Sequence, residues 1–209
     1  MPRARAARTR SRGIYVEVLV RADLETLWRL TQDPEQHARW DLRFSQIVPE
    51  AALERGGYRF RYERSLGLHT IRGTGTSIRE RHHLDGSSTS ALRFDTDDRL
   101  SPLRGGRGYW RYVPTAEGVR FITGYDYTPG FGRLADRLIR PLVRWMTAWS
   151  FDRLRIWAET GVEPERWPAA SVVAIWNRER PRASRCTTEP PAQGAFAHEP
   201  ESLATLEAP

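Results

Sequence analysis

The chain has 209 residues and a formal net charge of +7 from 33 basic and 26 acidic side chains; that length suits one domain with tails rather than two domains. Every one of the basic residues is arginine, so the positive charge reflects overall arginine usage as much as a surface built for nucleic acid. Its single cysteine, Cys186, excludes an intramolecular disulfide and a cysteine-rich metal site, and a fold resting on its core alone suits a reducing, cytoplasmic setting.

Charge is unevenly placed. Residues 1–12 hold five arginines and no acid, while the segment from Glu163 onward holds seven acids against five arginines. The opening run reads as a solvated, disordered basic tail, with no nucleic-acid partner expected. No apolar leader core follows it, because the stretch from Ile14 to Val20 is short and broken by Glu17.

Residues 13–20 alternate Ile14, Val16, Val18 and Val20 on one face, which predicts a strand. Asp23 then caps a helix through Leu24, Leu27 and Trp28, and Asp33-Pro34 opens a second short helix that reaches Trp40. Strand signals follow in succession. Phe44 to Val48 is one, and Tyr58, Phe60 and Tyr62 alternate with charged residues in the next. Residues 68–81 form a third, with Gly73 and Gly75 sharing one face, where a sheet can bend or a group can approach the backbone. Asp85-Gly86 marks a hairpin turn, and Glu117-Gly118 another. Between and after them lie Ser90, Leu92 and Phe94, then residues 108–113, then residues 119–127.

Residues 130–161 predict one long helix. At about 100° per residue, Phe131, Leu134, Leu138, Leu142, Trp145, Trp149 and Ile156 fall on one side, flanked by Ile139, Met146 and Trp157. Arg133, Arg137, Arg140 and Arg144 stripe roughly the opposite side, and Gly161 is a natural stop. The arginines interrupt every window long enough to span a membrane. After Gly161, residues 162–209 are rich in proline, small residues and charge, so a mostly disordered tail is expected, with 172–176 as its one apolar stretch. The order of elements predicts an α+β domain over 13–161: a curved antiparallel sheet of about six to seven strands wrapped around the long C-terminal helix, with two short helices after the first strand.

Several residue runs resemble the START-like, or SRPBCC, superfamily of Bet v 1-type helix-grip domains, which includes polyketide cyclases, dehydrases and lipid-transfer proteins. They are Val16-Glu17-Val18-Leu19-Val20-Arg21-Ala22, Glu25-Thr26-Leu27-Trp28, Thr31-Gln32-Asp33-Pro34-Glu35, Trp40-Asp41 and the closing helix of residues 131–159. At Asp23 the chain departs from the proline frequent there, which alters only the helix start. The resemblance implies a cavity for a hydrophobic molecule under the long helix, and the superfamily has no universal catalytic motif.

Strand alternation groups Tyr58, Phe60 and Tyr62, then Trp110 with Tyr112, then Phe121, Tyr125 and Tyr127. If those faces point inward they meet Leu138, Leu142, Trp145 and Trp149 from the helix, making an apolar ligand site with a few hydroxyls. His69 with Tyr62 or Tyr125 is the candidate acid–base pair for a cyclisation or dehydration. His82 and His83 are adjacent and point to opposite faces, so no metal site is expected. The glycine runs at 73–75 and 104–108 do not open helices, and no nucleophile elbow occurs, so no phosphate-bearing cofactor is expected. The favoured expectation is a carrier or binding module for a small hydrophobic molecule, polyketide-like, aromatic or lipid. A cofactor-independent cyclase or dehydratase in the same cavity is the alternative. The arginine- and tryptophan-bearing helix leaves a third, peripheral contact with membrane lipid.

Overall fold

The computed structural model describes residues 13–53, 57–81 and 83–209. The basic tail of residues 1–12 and His82 therefore lie outside the described residues. β1 (Ile14–Val20) leads into α1 (Leu24–Gln32), where the Asp23 carboxylate accepts from the Thr26 backbone N–H at 2.7 Å and satisfies an otherwise orphaned donor. Asp33 ends α1 and caps α2 (Pro34–Trp40), whose first position suits Pro34 because its nitrogen has no hydrogen to donate.

Six further strands follow: β2 (Gln46–Ala52), β3 (Gly57–Ser65), β4 (Thr70–Glu80), β5 (Ser88–Asp95), β6 (Leu103–Thr115) and β7 (Gly118–Pro129). All pair antiparallel, in the order β1-β7-β6-β5-β4-β3-β2. The expected curved sheet and its two short helices are present, and α3 (Gly132–Thr160) lies along the sheet and packs chiefly against β1. It runs through Pro141 and stops at Gly161, whose φ of 74° is the left-handed conformation that glycine adopts without steric cost.

The paired glycines of β4 act as seats for rings. A Cβ on Gly75 would collide with the Phe60 ring, and one on Gly73 with the Tyr62 ring. The aromatics of β3 thus lie flat across a strand that has no side chains there.

The core fills the space between the sheet and the second half of α3. Trp40, Tyr112, Phe121 and Phe151 are fully buried, and Phe121 stacks on Phe151 with centroids 4.6 Å apart. Burial changes along α3. Trp149, Phe151 and Leu154 are buried, but Phe131, Leu134, Leu138, Leu142 and Trp145 are exposed. The apolar arc read from the sequence was too wide for one contact. In the first half of α3 the narrower arc of Ile139, Val143 and Met146 faces the sheet, Phe131 and Leu142 stand at the cavity's edge, and Leu134, Leu138 and Trp145 turn outward.

Residues 162–209 correct the expectation of a mostly disordered tail. Their strand-free path returns along the domain, and Thr187 pairs with Glu17 on the free edge of β1 through two backbone bonds of 2.9 Å. Trp167, Ala195, Leu203 and Leu206 are buried. Leu203 and Leu206, from the short α4 (Ser202–Thr205) and the residue after it, cover Ala91 and Tyr109. Ala195 covers Tyr15 and Ile122, and the Tyr109 hydroxyl donates to its carbonyl at 3.0 Å. The physical reason lies in the sheet. Tyr15, Ala91, Tyr109 and Ile122 point away from α3 and need a cover, which a few scattered apolar residues supply without any periodicity. Val173, Ile175 and Trp176, the obvious apolar stretch, stay exposed.

Candidate functional site

Between the sheet and the first half of α3 lies a cavity of about 400 Å³, within the size range of small-molecule sites. Phe60, Tyr62 and Ile71 line one side, Trp110 and Tyr125 another, and Ile139, Leu142, Val143 and Met146 the helical wall. Rings pack on rings here: Phe44 meets Tyr62 edge-on at 5.6 Å, and Tyr58, Phe60 and Tyr62 follow one another along β3. Ser77, Ser90, Thr31 and Gln32 add hydrogen-bonding groups to a mainly apolar lining, and Arg64 adds a cation.

The wall also carries a charged node that the sequence did not single out. The Asp41 carboxylate, with no side-chain exposure, accepts from Arg43 Nε at 2.9 Å and Nη2 at 2.6 Å, and from the Arg43 backbone N–H at 3.0 Å. His37, one helical turn earlier, holds Asp41 Oδ2 at 3.1 Å from its Nε2. Its ring is boxed by Trp40, Phe44 and Trp110 at centroid distances of 5.0, 5.0 and 4.8 Å. The Arg43 guanidinium lies 5.2 Å from the centre of the Tyr125 ring, and the Tyr125 hydroxyl bonds Thr147 Oγ1 at 2.7 Å. Both His37 and Arg43 line the cavity.

Electrostatics fix the protonation states. Burial alone would raise the Asp41 pKa, but the Arg43 charge and the hydrogen bonds from His37 and Arg43 outweigh it and hold the carboxyl well below the usual range. Burial lowers the His37 pKa against the opposing pull of Asp41, so the imidazole is neutral at pH 7. In that state its Nε2 donates to Asp41. The Tyr125 phenol is pushed up by burial, with Arg43 pulling the other way. The node is therefore a neutral assembly of one cation, one anion and one neutral imidazole. A neutral ligand group, a carbonyl or a hydroxyl, matches it without adding an uncompensated buried charge.

Of the residues expected at the site, Tyr58, Phe60, Tyr62, Trp110, Tyr125 and Leu142 line the cavity. The others are placed elsewhere. Tyr112 and Phe121 share the inward face, but they sit beneath the packed half of α3, in the core with Trp28 and Phe151. Tyr127 is buried near the start of α3, where its hydroxyl donates to Asp136 at 2.8 Å and Arg140 covers its ring. Trp149 is a core residue, and Leu138 and Trp145 turn outward. His69 lies in the turn between β3 and β4, with Nε2 at 2.8 Å from Asp98 and a side chain 41% exposed, so it pairs with neither Tyr62 nor Tyr125. Strand alternation groups residues that share a face and leaves open which face points inward. It carries no information on how far along a strand the helix lifts away. His37, Asp41 and Arg43 had one available signal: a histidine and an aspartate four apart, spanning the Trp40-Asp41 junction at the end of a short helix.

Residues 12–159 match the model of the family described as polyketide cyclase / dehydrase and lipid transport. The chain is 38% identical over 173 residues to YndG of Bacillus subtilis (strain 168), described as an uncharacterized membrane protein. That match takes in 80% of this chain, which spans 65% of the relative's length. Among solved structures it is similar to the di-domain ARO/CYC StfQ from the steffimycin biosynthetic pathway, with a TM-score of 0.55 and 13% identity over 72% of this chain and 51% of that one. It is also similar to human StAR-related lipid transfer protein 5, with a TM-score of 0.50 and 14% identity over 66% of this chain and 72% of that one. At such identities the likeness concerns the fold.

Proposed function

This chain belongs to the polyketide cyclase / dehydrase and lipid transport family, and we propose that it is a carrier or binding module for a small hydrophobic molecule bearing a carbonyl or hydroxyl group. The ligand class is polyketide-like, aromatic or lipid. The observation that carries this reading is the 400 Å³ cavity, walled mainly by aromatic and aliphatic side chains, with an internally neutralised charged node and a few further polar groups in its lining. The apolar wall supplies affinity, because each Å² it removes from water contributes about 25 cal/mol. The node supplies orientation, since a buried donor left without a partner is costly.

The test uses the full chain and the neutral fluorescent probe N-phenyl-1-naphthylamine. Met146 lines the cavity from the helix side, so Met146→Trp fills it from there. Probe binding in the wild type and its loss in a folded Met146→Trp variant are expected. Equal binding by both would place the probe elsewhere and remove the cavity from the argument.

The His37–Asp41 pair favours a second reading, a cofactor-independent cyclase or dehydratase in the same cavity. A neutral imidazole held by a carboxylate and lining a pocket is equipped to take and return a proton. That chemistry requires His37→Ala to lower product formation about 10²–10⁴-fold while probe affinity holds. If affinity and product formation fall together, His37 only shapes the cavity and the carrier reading stands.

A further inference from the structure

The first half of α3 and the residue before it carry an exposed apolar face that the core does not cover and that reaches the mouth of the cavity. Phe131 is 50% exposed, Leu134 77%, Leu138 81%, Leu142 55% and Trp145 37%. At about 100° per residue these five fall within one arc of roughly 80°. Beside that arc stand Arg133, Arg137 and Arg144, all exposed, and no ion pair within the described residues engages them. Arg140, in the same stripe but farthest from the arc, is occupied with Asp126 and Asp136. A second apolar group lies at the same end of the sheet. Leu66 and Leu68, in the β3–β4 turn, are 55% and 108% exposed. Leu66, Phe131 and Leu142 also line the cavity, so the apolar surface surrounds its mouth.

An apolar stripe of leucine, phenylalanine and tryptophan edged by unpaired arginines is the pattern of a helix that lies in a lipid–water interface. Arginine chooses the sign of that interface. Each cation near an anionic surface adds attraction that salt screens. No helix among the described residues is long and apolar enough to cross a membrane, so the contact is lateral. Ile14 pairs with Tyr125, which puts the start of β1 at the same end of the sheet as the start of α3. The chain thus joins the fold there with the five arginines of residues 1–12 immediately before it in sequence.

We propose that the mouth of the cavity, formed by the first half of α3 and the β3–β4 turn, docks on an anionic lipid bilayer. Leu134, Leu138 and Trp145 enter the acyl boundary, and Arg133, Arg137 and Arg144 rest on the phosphates. Docking opens the apolar cavity towards acyl chains rather than water. The inference goes beyond ligand binding and does not depend on it, because Leu134, Leu138, Arg133 and Arg137 do not line the cavity.

The experiment is flotation of the full chain with vesicles of phosphatidylcholine alone, and of phosphatidylcholine with phosphatidylglycerol in equal parts. Binding to the mixed vesicles, little to phosphatidylcholine, and release at high salt are expected. Leu134→Ser with Leu138→Ser should reduce partitioning about tenfold or more, from the apolar area withheld from the boundary. Arg133→Gln with Arg137→Gln should reduce it about fivefold per charge on the mixed vesicles and leave phosphatidylcholine unaffected. Both double variants should keep wild-type affinity for N-phenyl-1-naphthylamine, which certifies their fold and separates this test from that of the cavity. Absence of wild-type binding to either vesicle overturns the proposal, as does unchanged binding by the leucine variant. Sedimentation velocity showing a wild-type dimer that Leu134→Ser with Leu138→Ser dissolves, without vesicle binding, assigns the face to a second copy and also overturns it.

Discussion

Replacing Arg43 by methionine probes the polar node through its effect on the rest of the fold. In the wild type the Asp41 carboxylate has no solvent contact, and the Arg43 side chain holds it at 2.9 and 2.6 Å. Removing the arginine leaves a buried anion whose remaining charged or titratable neighbour in the node is His37, at 3.1 Å. Breaking a buried pair from one side costs about 3–5 kcal/mol, which in a chain of this size lowers the thermal midpoint by roughly 6–20 °C. The pH dependence carries the sharper signature. In the wild type the His37 pKa is lowered by burial. The stability that its neutral form contributes is therefore complete above the unfolded value of about 6.5 and is lost as pH falls below it. In Arg43→Met, the uncompensated Asp41 draws a proton onto His37 and raises its pKa above the unfolded value. The stability from that charged pair is then present below about pH 6.5 and lost as pH rises. Urea denaturation of both proteins across pH 5 to 8 should thus show a mutational penalty that grows with pH. A penalty that is flat in pH, or a loss under about 1 kcal/mol, refutes the claim that Arg43 is what keeps Asp41 ionised in the wall.

Other outcomes follow from the same placement of residues. Trp149→Ala, at a fully buried position outside the cavity lining, should cost about 3–5 kcal/mol in denaturation while leaving probe affinity within about twofold. His69→Ala should change neither, because its partner Asp98 lies with it at the surface; a fall in product formation would reinstate it as a catalytic candidate. Gly75→Ala should drive the Phe60 ring off its seat and weaken probe binding, as read by fluorescence titration. Truncation after Gly161 should lower the thermal midpoint by several degrees, because it uncovers Tyr15, Ala91, Tyr109 and Ile122; an unchanged midpoint would show that the returning segment contributes nothing.

The architecture was legible because each element carried its own period. β1 and β3 alternate, α1 has its Asp23 cap, and α3 ends at Gly161. The site was legible in part. Tyr58, Phe60, Tyr62, Trp110 and Tyr125, grouped by alternation, line the cavity. Tyr112 and Phe121 share the inward face and belong to the core, since the boundary between cavity and core depends on where α3 touches β1. The node escaped notice because its three residues fall on a helix, its end and a loop, each unremarkable alone, and only the fold turns them to one point. The segment 162–209 was misjudged for a related reason. Isolated residues such as Leu203 and Leu206 have no periodicity, and their burial depends on a sheet face whose need for cover shows only in three dimensions.

Native mass spectrometry of the full chain purified from its own host tests the central claim most directly. The account predicts a second species heavier than the bare chain by the mass of one small molecule, released by organic solvent and absent from the folded Met146→Trp variant. A bare chain alone, together with failure of the wild type to take up N-phenyl-1-naphthylamine, would contradict it.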